Sequence, residues 1–316
     1  MRTLLRILTF NAAITTGFVA LLGRARIGAW PLEWFANFSV QILFVAIALL
    51  LVATALKSKF TFIVCVIAVV VSGTTVAGVL RSDRDARRHG AAVVIGHLNA
   101  QSGKIEVNAL RAMLRREAPD VFVILEPSQS DVRSLQRDAA GYTAHTTATK
   151  ASPPWVRTIV LSRIPIANVR HREAVDLPPA TVEYTIMLNN KPVTVMALHT
   201  ASPTTPGRAQ ERNRALRATV RWSNARAEDH VVMGDFNATP WSPEFVDTET
   251  NGQLRSSLRG FGQQASWPSE LGWLGLAIDH ALLSKSLVTV SRDTTDSFGS
   301  EHRGLLVGVA RSTAVS

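Results

Sequence analysis

The sequence predicts an α/β domain preceded by a membrane segment, and three observations lead to this prediction. Residues 1–90 contain three long apolar stretches, whereas residues 91–316 have the mixed composition of a soluble domain. From residue 91 onward, short apolar runs typical of strands alternate with segments whose apolar residues recur at helical spacing. Several of these apolar runs end in a polar residue that can bind a ligand.

The three apolar stretches are predicted to be transmembrane helices at about residues 4–23, 39–56 and 60–80, because a helix needs about 20 apolar residues to cross a bilayer. The first stretch is the weakest, since Arg6 and Asn11 interrupt it. A signal peptide is the alternative there, but its cleavage pattern is poor and two more stretches follow. The sequence therefore divides into an anchor with a basic linker, residues 1–90, and a second domain, residues 91–316.

Most of the positive charge lies in the anchor. Residues 1–90 hold ten Lys and Arg residues against three acids, within a formal net charge of +10 for the chain. Basic residues beside apolar spans are ordinary in membrane proteins, so the charge is weak support for a nucleic-acid partner. The short loop Lys57-Ser58-Lys59 favours the cytoplasm, which would place the second domain outside, in the periplasm of a bacterium. The arginine-rich run at 81–88 favours the opposite orientation.

The second domain is predicted to contain strands and helices in alternation. The predicted strands are 91–100, 119–127, 158–166, 181–188, 192–200, 230–237, 277–284 and 304–310, with helices at 104–117 and 208–226. The second helix carries six arginines, of which Arg214, Arg217 and Arg221 share one face. A solvated outer helix that packs Leu216 and Val220 on a sheet is preferred there over a contact with nucleic acid or lipid headgroups.

Polar residues follow the predicted strands at the points where they end. They are Asn99, Glu126, His199, Asp235 with Asn237, and Asp279. Side chains at strand ends can converge at one edge of a sheet. Carboxylates, amides and histidines suit a hard divalent cation such as Mg²⁺ or Mn²⁺. The only cysteine, Cys65, lies in an apolar stretch, which excludes a disulfide framework and a cysteine metal site.

The order of these motifs resembles the endonuclease/exonuclease/phosphatase superfamily, which includes DNase I-like nucleases and sphingomyelinases. The resemblance covers roughly residues 93–310, and the N-terminal helices look most like those of membrane-anchored bacterial members. The matching motifs are HLN at 97–99, PDVFVILE at 119–126, LHTASP at 198–203, GDFNATPWSP at 234–243, IDHALLS at 278–284 and SEHRGLLV at 300–307. The resemblance implies a four-layer α/β sandwich, in which two mixed sheets pack face to face between helices.

The resemblance also implies roles in hydrolysis of a phosphoester. Glu126 looks like the principal ligand of a Mg²⁺ or Mn²⁺ ion, with Asn99 beside it at the metal or phosphate. Asp235 would position or deprotonate the attacking water, and Asn237 would hold a phosphate oxygen. Strand alternation is expected to direct both of these side chains to the same face, and Gly234 is expected to allow a close approach or unusual conformation of the backbone.

Two histidines complete the implied site. His199 would stabilise the phosphate or protonate the leaving group. His302 would contact the scissile phosphate or act as a base, with Asp279 orienting its ring. Which histidine is acid and which is base stays open. Glu301 stands where the family usually has Asp, and its longer side chain could change the geometry of the metal site.

The remaining polar and aromatic residues of the second domain are expected to contact phosphate, to pack or to lie at the surface. Tyr142, His145 and Arg157 are candidates for a phosphate contact in the segment 141–166. Trp241 is expected to pack rather than to stack on substrate. Solvated or loop positions are expected for the remaining histidines, which are His145, His171, His230 and His280.

The predicted function is a membrane-anchored, metal-dependent phosphodiesterase in a bacterial inner membrane. Its substrate would be a nucleic acid or, as the alternative, a phospholipid headgroup; no protein partner is predicted. A catalytically silent binding protein with the same fold is a further alternative, to which Glu301 gives the only support. A transporter is disfavoured because the three spans carry no paired intramembrane charge.

Overall fold

The computed structural model describes residues 1–81, 92–101, 103, 105–146, 153–172 and 176–312. Most of the predicted basic linker, including all but the first residue of the run at 81–88, lies outside the described residues. The chain folds as two compact units. The anchor unit comprises Met1–Arg81 together with Ala238–Val246, and the sandwich unit comprises Ser82–Asn237 and Asp247–Ser316. The sequence predicted a single boundary at residue 90. The grouping of Ala238–Val246 with the anchor unit was not predicted.

The N-terminal part of the anchor unit, Met1–Arg81, contains four helices. They are α1 (Arg2–Ala25), α2 (Glu33–Asn37), α3 (Ser39–Ala55) and α4 (Lys59–Leu80). Helices α1 and α4 are long and apolar enough to cross a membrane, whereas α3 is a shorter apolar helix of 17 residues. The three apolar stretches are therefore helical, and their insertion in a bilayer stays a prediction.

Two arginines show how the long helices of the anchor unit are aligned. The guanidinium of Arg6, near the start of α1, donates to the carbonyl of Leu56 at the end of α3 over 2.7 Å. Arg24, at the other end of α1, donates to Thr74 in α4 over 3.3 Å. Helix α1 thus runs antiparallel to α3 and parallel to α4. As a result, the basic residues at the start of α1 and in the loop 57–59 lie at one end of the bundle, and α2 lies at the other.

The sandwich unit is built on two mixed six-stranded sheets. The first has the order β11-β12-β1-β2-β4-β3 and the second has the order β5-β6-β7-β8-β10-β9. The first sheet comprises β1 (Val93–Asn99), β2 (Val121–Leu125), β3 (Thr143–Thr146), β4 (Thr158–Ser162), β11 (Leu287–Thr294) and β12 (Leu305–Arg311). The second comprises β5 (Ala167–His171), β6 (Val182–Leu188), β7 (Lys191–His199), β8 (Asp229–Asp235), β9 (Leu254–Ser256) and β10 (Asp279–Ser284).

Helices cover the outer faces of these sheets. Helices α5 (Val107–Glu117) and α6 (Gln129–Arg137) pack on the first sheet in one apolar cluster, and α7 (Pro206–Asn224) lies on the second, where Trp222 donates to Glu183 of β6. A further helix, α8, spans Pro243–Asn251, and short 3₁₀ helices span Pro154–Val156 and Ser269–Leu274. The predicted four-layer α/β sandwich is confirmed.

The main core lies between the two sheets. Alternate residues of β1 and β2, such as Ile95, Val121 and Val123, contact alternate residues of β7 and β8, such as Val195 and Val231. Strand side chains point alternately to opposite faces. The other face of the first sheet therefore packs under α5 and α6 in a second apolar cluster. The two sheets therefore share one apolar core.

Candidate active site at the edge of the two sheets

Pairing within the sheets aligns the predicted polar strand ends. In the second sheet, Asp235 at the end of β8 pairs with His199 on one side and with Asp279 on the other. In the first sheet, Asn99 ends β1 opposite Leu125, the residue before Glu126. The sheet registers therefore bring these residues to one edge of the sandwich, as the sequence predicts.

Asp235 lies at the centre of this edge and is almost fully buried. Its Oδ2 accepts a hydrogen bond from the Asn99 side chain over 3.0 Å. The same oxygen lies 3.4 Å from His199 Nε2 and 3.7 Å from His302 Nε2. Two histidines and an amide thus face one carboxylate, and their attraction acts against the burial of Asp235.

Glu126 joins this group through His199. The Nδ1 of His199 lies 2.9 Å from Glu126 Oε1. The backbone of Glu126 has a φ of 54°, in the left-handed region that glutamate rarely adopts. The N–H of Glu126 donates to the carbonyl of Arg157 over 3.0 Å. Backbone strain of this kind persists where the surrounding structure fixes it, and it is typical of functional sites.

Asp279 pairs with two histidines. Its Oδ2 lies 2.9 Å from Nδ1 of His302, and its Oδ1 lies 3.0 Å from Nε2 of His97. The backbone carbonyl of Asp279 accepts from the buried guanidinium of Arg292 over 3.3 Å. Both carboxylate oxygens are therefore engaged, and the ring of His302 is held with its Nε2 towards Asp235.

The charges at this edge shift the pKa values of its members. Burial lowers the pKa of His302, but attraction by Asp279 and Asp235 outweighs it and raises that pKa to about 9. Burial opposes ionisation of Asp279, yet the charge of His302 and the hydrogen bonds from His302 and His97 hold its pKa well below the usual range. In the metal-free protein, the pair is an imidazolium and a carboxylate at neutral pH.

The pKa values of Asp235 and His199 are both raised. Burial raises the pKa of Asp235, and the nearby charge of Asp279 raises it further against the attraction of the two histidines. Burial lowers the pKa of His199, but its hydrogen bond to Glu126 and the attraction of Asp235 and Glu126 raise it above its usual value. A carboxylate with a raised pKa is a better proton acceptor near neutral pH.

Glu301 lies at the rim of the site and is exposed. Its Oε2 accepts from the side chain of Gln101 over 2.8 Å, and its N–H donates to Gln101 Oε1 over 3.1 Å. The N–H of Gln101 in turn donates to Asn99 Oδ1 over 3.0 Å. Gln101, a residue that no sequence motif indicated, therefore links Glu301 to Asn99.

The GDFN motif has a different geometry from the one that strand alternation predicts. Strand β8 ends at Asp235, and Asn237 has a φ of 46°, so the two side chains are not related by strand alternation. Instead, Asp235 Oδ1 accepts the N–H of Asn237 over 2.9 Å, and the Asn237 side chain donates to the carbonyl of Thr200. Asparagine adopts left-handed backbone more readily than most residues.

Gly234 has both the unusual backbone conformation and the close backbone approach that the sequence predicts. Its φ is 133°, and a Cβ there would lie 1.9 Å from the carbonyl oxygen of Leu198 on the neighbouring strand. Trp241 is buried, in agreement with a packing role.

Two buried residues near this edge were missed in the sequence. His97 is fully buried and contacts Asp279. Its place at the site could have been predicted from Asn99, because residues 97 and 99 share a face of β1. Arg212 is fully buried and donates to the carbonyl of Asn237 over 3.1 Å, although α7 was expected to be a solvated outer helix. Its position four residues before the buried Leu216 places it on the inner stripe of α7.

Several secondary expectations are also resolved. His230 and His280 are buried in strands, which contradicts their expected solvated or loop positions. Of the candidates between 141 and 166, Tyr142 packs away from the site, where its hydroxyl donates to the carbonyl of Pro119 and burial raises its pKa to about 12. Arg157 is buried and precedes β4 next to Glu126, with a buried Nε that has no hydrogen-bond partner among the described residues.

The donor set fits a divalent cation. Four carboxylates, Glu126, Asp235, Asp279 and Glu301, lie with three histidines and the amide of Asn99, and no thiol is among them. Hard oxygen ligands of this kind suit Mg²⁺ or Mn²⁺. Asp235, Asp279 and His302 each offer a ligand atom within 4.8 Å of the others. His302 Nδ1 is already bonded to Asp279 Oδ2 over 2.9 Å, so His302 would offer its Nε2 to a cation on that set.

Comparisons with known proteins agree with this architecture. A sequence model described as the Endonuclease/Exonuclease/phosphatase family matches residues 96–302. Comparison with curated protein sequences gives no match.

Solved structures give the same fold at low identity. The crystal structure of D. rerio TDP2 complexed with single strand DNA product is similar with a TM-score of 0.54 and 13% identity, over 70% of this chain and 99% of that chain. An endonuclease/exonuclease/phosphatase from Beutenbergia cavernae DSM 12333 is similar with a TM-score of 0.52 and 18% identity, over 72% of this chain and 74% of that chain. These similarities establish the fold alone.

Proposed function

Because this chain belongs to the endonuclease/exonuclease/phosphatase family, we propose that it is a divalent-metal-dependent phosphoesterase that hydrolyses a phosphodiester. The observation that carries the proposal is the continuous chain of contacts from Glu126 through His199 and Asp235 to His302 and Asp279. Proton-transfer groups and candidate metal ligands lie side by side in this chain of contacts.

Glu126, Asn99 and Glu301 would hold a Mg²⁺ or Mn²⁺ ion. When bound, the ion supplies charge neutralisation at the phosphate. The alternative set is Asp235, Asp279 and His302, whose ligand atoms lie within 4.8 Å of one another. Glu126, Asn99 and Glu301 are proposed because the family resemblance implies them. The strained backbone of Glu126 supports this assignment, since strain is retained where a side chain must point in one direction.

Asp235 would position the attacking water and accept its proton. Its raised pKa and its burial between two histidines support this role. The N–H of Asn237 fixes Oδ1 of Asp235, so Oδ2 is the oxygen that faces the histidines. Asn237 would hold a phosphate oxygen.

The histidines would act on the phosphate. His302, with a pKa near 9, is protonated at neutral pH and would stabilise the charge that develops on the phosphate, while Asp279 orients its ring. His199 would stabilise the phosphate or protonate the leaving group. Arg157 is a further candidate for a phosphate contact because of its position beside Glu126.

A nucleic acid is the first candidate substrate. The similarity of the fold to D. rerio TDP2, which was crystallised with a single strand DNA product, supports this choice. A phospholipid headgroup is the second candidate. It is supported by the exposed apolar side chains of Leu271, Trp273 and Leu274, because the segment that carries them is tied to the site where the N–H of Ser269 donates to the carbonyl of Glu301.

The proposal includes a membrane anchor, residues 1–90, and a catalytic domain, residues 91–316. The apolar lengths of α1 and α4 support insertion in a bacterial inner membrane. The common end that Arg6 shares with the loop 57–59 supports a cytoplasmic location for that end. The catalytic domain would then be periplasmic.

The test uses the full chain, purified in detergent with Mg²⁺ or Mn²⁺. The substrates are single-stranded DNA, duplex DNA, RNA, vesicles of sphingomyelin or phosphatidylcholine, and bis(p-nitrophenyl) phosphate. We expect hydrolysis of one natural class that EDTA stops, and a loss of at least about 100-fold in Asp235→Asn. Glu211→Gln, on the exposed face of α7, is the matched control. An equal rate in Asp235→Asn would contradict the site, and no hydrolysis of any substrate would favour a silent binding protein.

A further inference from the structure

The segment Ala238–Val246 follows the catalytic edge directly in the chain but folds with the anchor unit. Its residues Thr239, Trp241, Ser242 and Phe245 are almost fully buried. The segment is internally ordered, because the N–H of Ser242 donates to the carbonyl of Thr239 over 3.0 Å. The anchor unit thus contains a folded piece that begins one residue after Asn237.

One side chain of α2 holds this segment. Oδ1 of Asn37 accepts the backbone N–H of Thr239 over 3.0 Å and the hydroxyl of Thr239 over 2.9 Å. Both residues are buried, so water cannot replace a lost acceptor. The N–H and the hydroxyl of Thr239 therefore both use Asn37 as their hydrogen-bond acceptor.

A close approach at Gly28 supports the same docking. A Cβ at Gly28 would lie 2.8 Å from the carboxylate oxygen of Glu244. Gly28 precedes α2, so the connection between α1 and α3 contacts both ends of the segment Ala238–Val246. The segment is consequently fixed at two separate points of the anchor unit.

Asn237, the residue before this segment, has an unusual backbone conformation. Its φ of 46° lies outside the conformations that most residues prefer. On its own unit it is held by Asp235, by Thr200 and by the guanidinium of Arg212 at its carbonyl. The chain that leaves its carbonyl passes through Ala238 to Thr239, where Asn37 holds it. A strained conformation persists when the structure on both sides defines it.

We infer that Asn37 is a positioning residue for hydrolysis, which acts by holding the chain that leaves Asn237. The inference rests on the proposed function. It assigns the anchor a part in catalysis beyond attachment to a bilayer. Displacement of Asn237 would shift the N–H that fixes Asp235, and small displacements of catalytic groups reduce rates strongly.

The experiment measures hydrolysis of bis(p-nitrophenyl) phosphate by the full chain in detergent with Mn²⁺. Asn37→Leu removes the acceptor at similar volume, whereas Asn37→Asp keeps an acceptor oxygen. We expect Asn37→Leu to lower kcat by roughly 10- to 100-fold with KM little changed. We expect Asn37→Asp to retain most of the wild-type kcat. Ser39→Ala is the control, because Ser39 is buried in the same unit and bonds only the carbonyl of Ala36 among the described residues.

A second measurement does not depend on activity. Hydrogen exchange of peptides that cover residues 237–246 should be roughly tenfold faster in Asn37→Leu than in the wild type and in Ser39→Ala. Thr239→Val, which keeps the N–H but loses the hydroxyl donor, should be intermediate in both exchange and kcat. This milder variant keeps the test valid if Asn37→Leu does not fold.

The outcomes separate the inference from the proposed function. Faster exchange with an unchanged kcat would overturn the inference and leave the hydrolase proposal intact. Equal losses in Asn37→Leu and Asn37→Asp would also overturn it, because the acceptor would then be irrelevant. If the wild type is inactive, the proposed function fails, and unchanged exchange in Asn37→Leu would overturn the docking of the segment on its own.

Discussion

Asp279 Oδ2 lies 2.9 Å from Nδ1 of His302, and this buried contact determines which way the imidazole faces. Because Nδ1 is bonded to Asp279, Nε2 is the ring nitrogen left to face Asp235. The same contact holds the charge on the ring, since the pKa of His302 rises to about 9.

Asp279→Asn should reduce kcat by roughly 100-fold or more, because the amide neither holds the imidazolium charge nor fixes its tautomer. It should also lower the pKa of His302 towards that of an ordinary histidine. The pH dependence of kcat between pH 6 and 10 measures both effects. Glu211→Gln should leave the profile unchanged, and a wild-type profile in Asp279→Asn would contradict the role of the pair.

Without metal, the stability of the protein should fall on the alkaline side. A raised pKa gives stability that is complete below the unfolded value of 6.5 and is lost as the pH rises through about 9. For His302 the shift corresponds to about 3 kcal/mol, and His199, whose pKa is also raised, adds in the same direction. Thermal unfolding in EDTA at pH 6.5 and pH 9.5 measures the loss, which should be smaller in His302→Asn.

The lowered pKa of Asp279 predicts the acid side of the same curve. A depressed carboxyl pKa gives stability that is present above the unfolded value of 3.8 and is lost as the pH falls towards the folded value. The stability contributed by the pair should therefore be greatest between about pH 4 and 6.5. An optimum above pH 8 in EDTA would be inconsistent with the pair being charged.

Gly234→Ala should disrupt the sandwich unit. The added Cβ would lie 1.9 Å from the carbonyl oxygen of Leu198, and both are backbone-anchored in paired strands. We expect a cost of about 3 kcal/mol or more, with loss of activity. Gly207→Ala is the matched control, because a Cβ in that position has no atom within 4 Å. The unfolding temperatures of the two variants, measured side by side, provide the comparison.

Glu301→Asp should preserve or raise activity. The carboxylate remains, and Gln101 can follow it because both residues lie at the rim of the site. The variant should be assayed over a range of Mg²⁺ and Mn²⁺ concentrations, since a changed reach would alter the metal requirement first. A complete loss of rate would show that the longer side chain has a role of its own.

The orientation of the anchor can be tested with a single cysteine. In a Cys65→Ala background, Ser58→Cys places the only thiol in the loop between α3 and α4. With a cytoplasmic loop, a membrane-impermeant maleimide should label inverted vesicles and leave intact cells unlabelled. Labelling of intact cells would place the catalytic domain in the cytoplasm.

The strands that the sequence predicted and those that it missed differ in position. The four missed strands, β3, β5, β9 and β11, are the outer strands of the two sheets. Central strands are buried on both faces and appear as continuous apolar runs, whereas outer strands such as β5 are partly exposed and carry mixed residues. The sequence therefore predicts the centre of a sheet better than its borders.

The candidate site shows a similar limit. Asn99, Glu126, His199, Asp235 and Asp279 could be predicted because each stands at the end of an apolar run. Contacts between distant segments could not be predicted, because no periodic pattern specifies them. Gln101 and Glu301 are 200 residues apart, and Asn37 and Thr239 are 202 apart. The burial of Arg212 could not be predicted from its charge, although the residue lies on the buried stripe of α7.

The glycine at 234 also prevents slippage between the two strands that carry His199 and Asp235. Leu198 pairs with Gly234 in the parallel β7–β8 ladder, and its carbonyl oxygen fills the space of the missing side chain. A shift of β8 by one residue would bring Met233 or Asp235 to this carbonyl, and either side chain begins with the Cβ that the carbonyl excludes. The missing Cβ of Gly234 therefore fixes the alignment of the two strands through the backbone, in addition to the 3.4 Å contact between the His199 and Asp235 side chains.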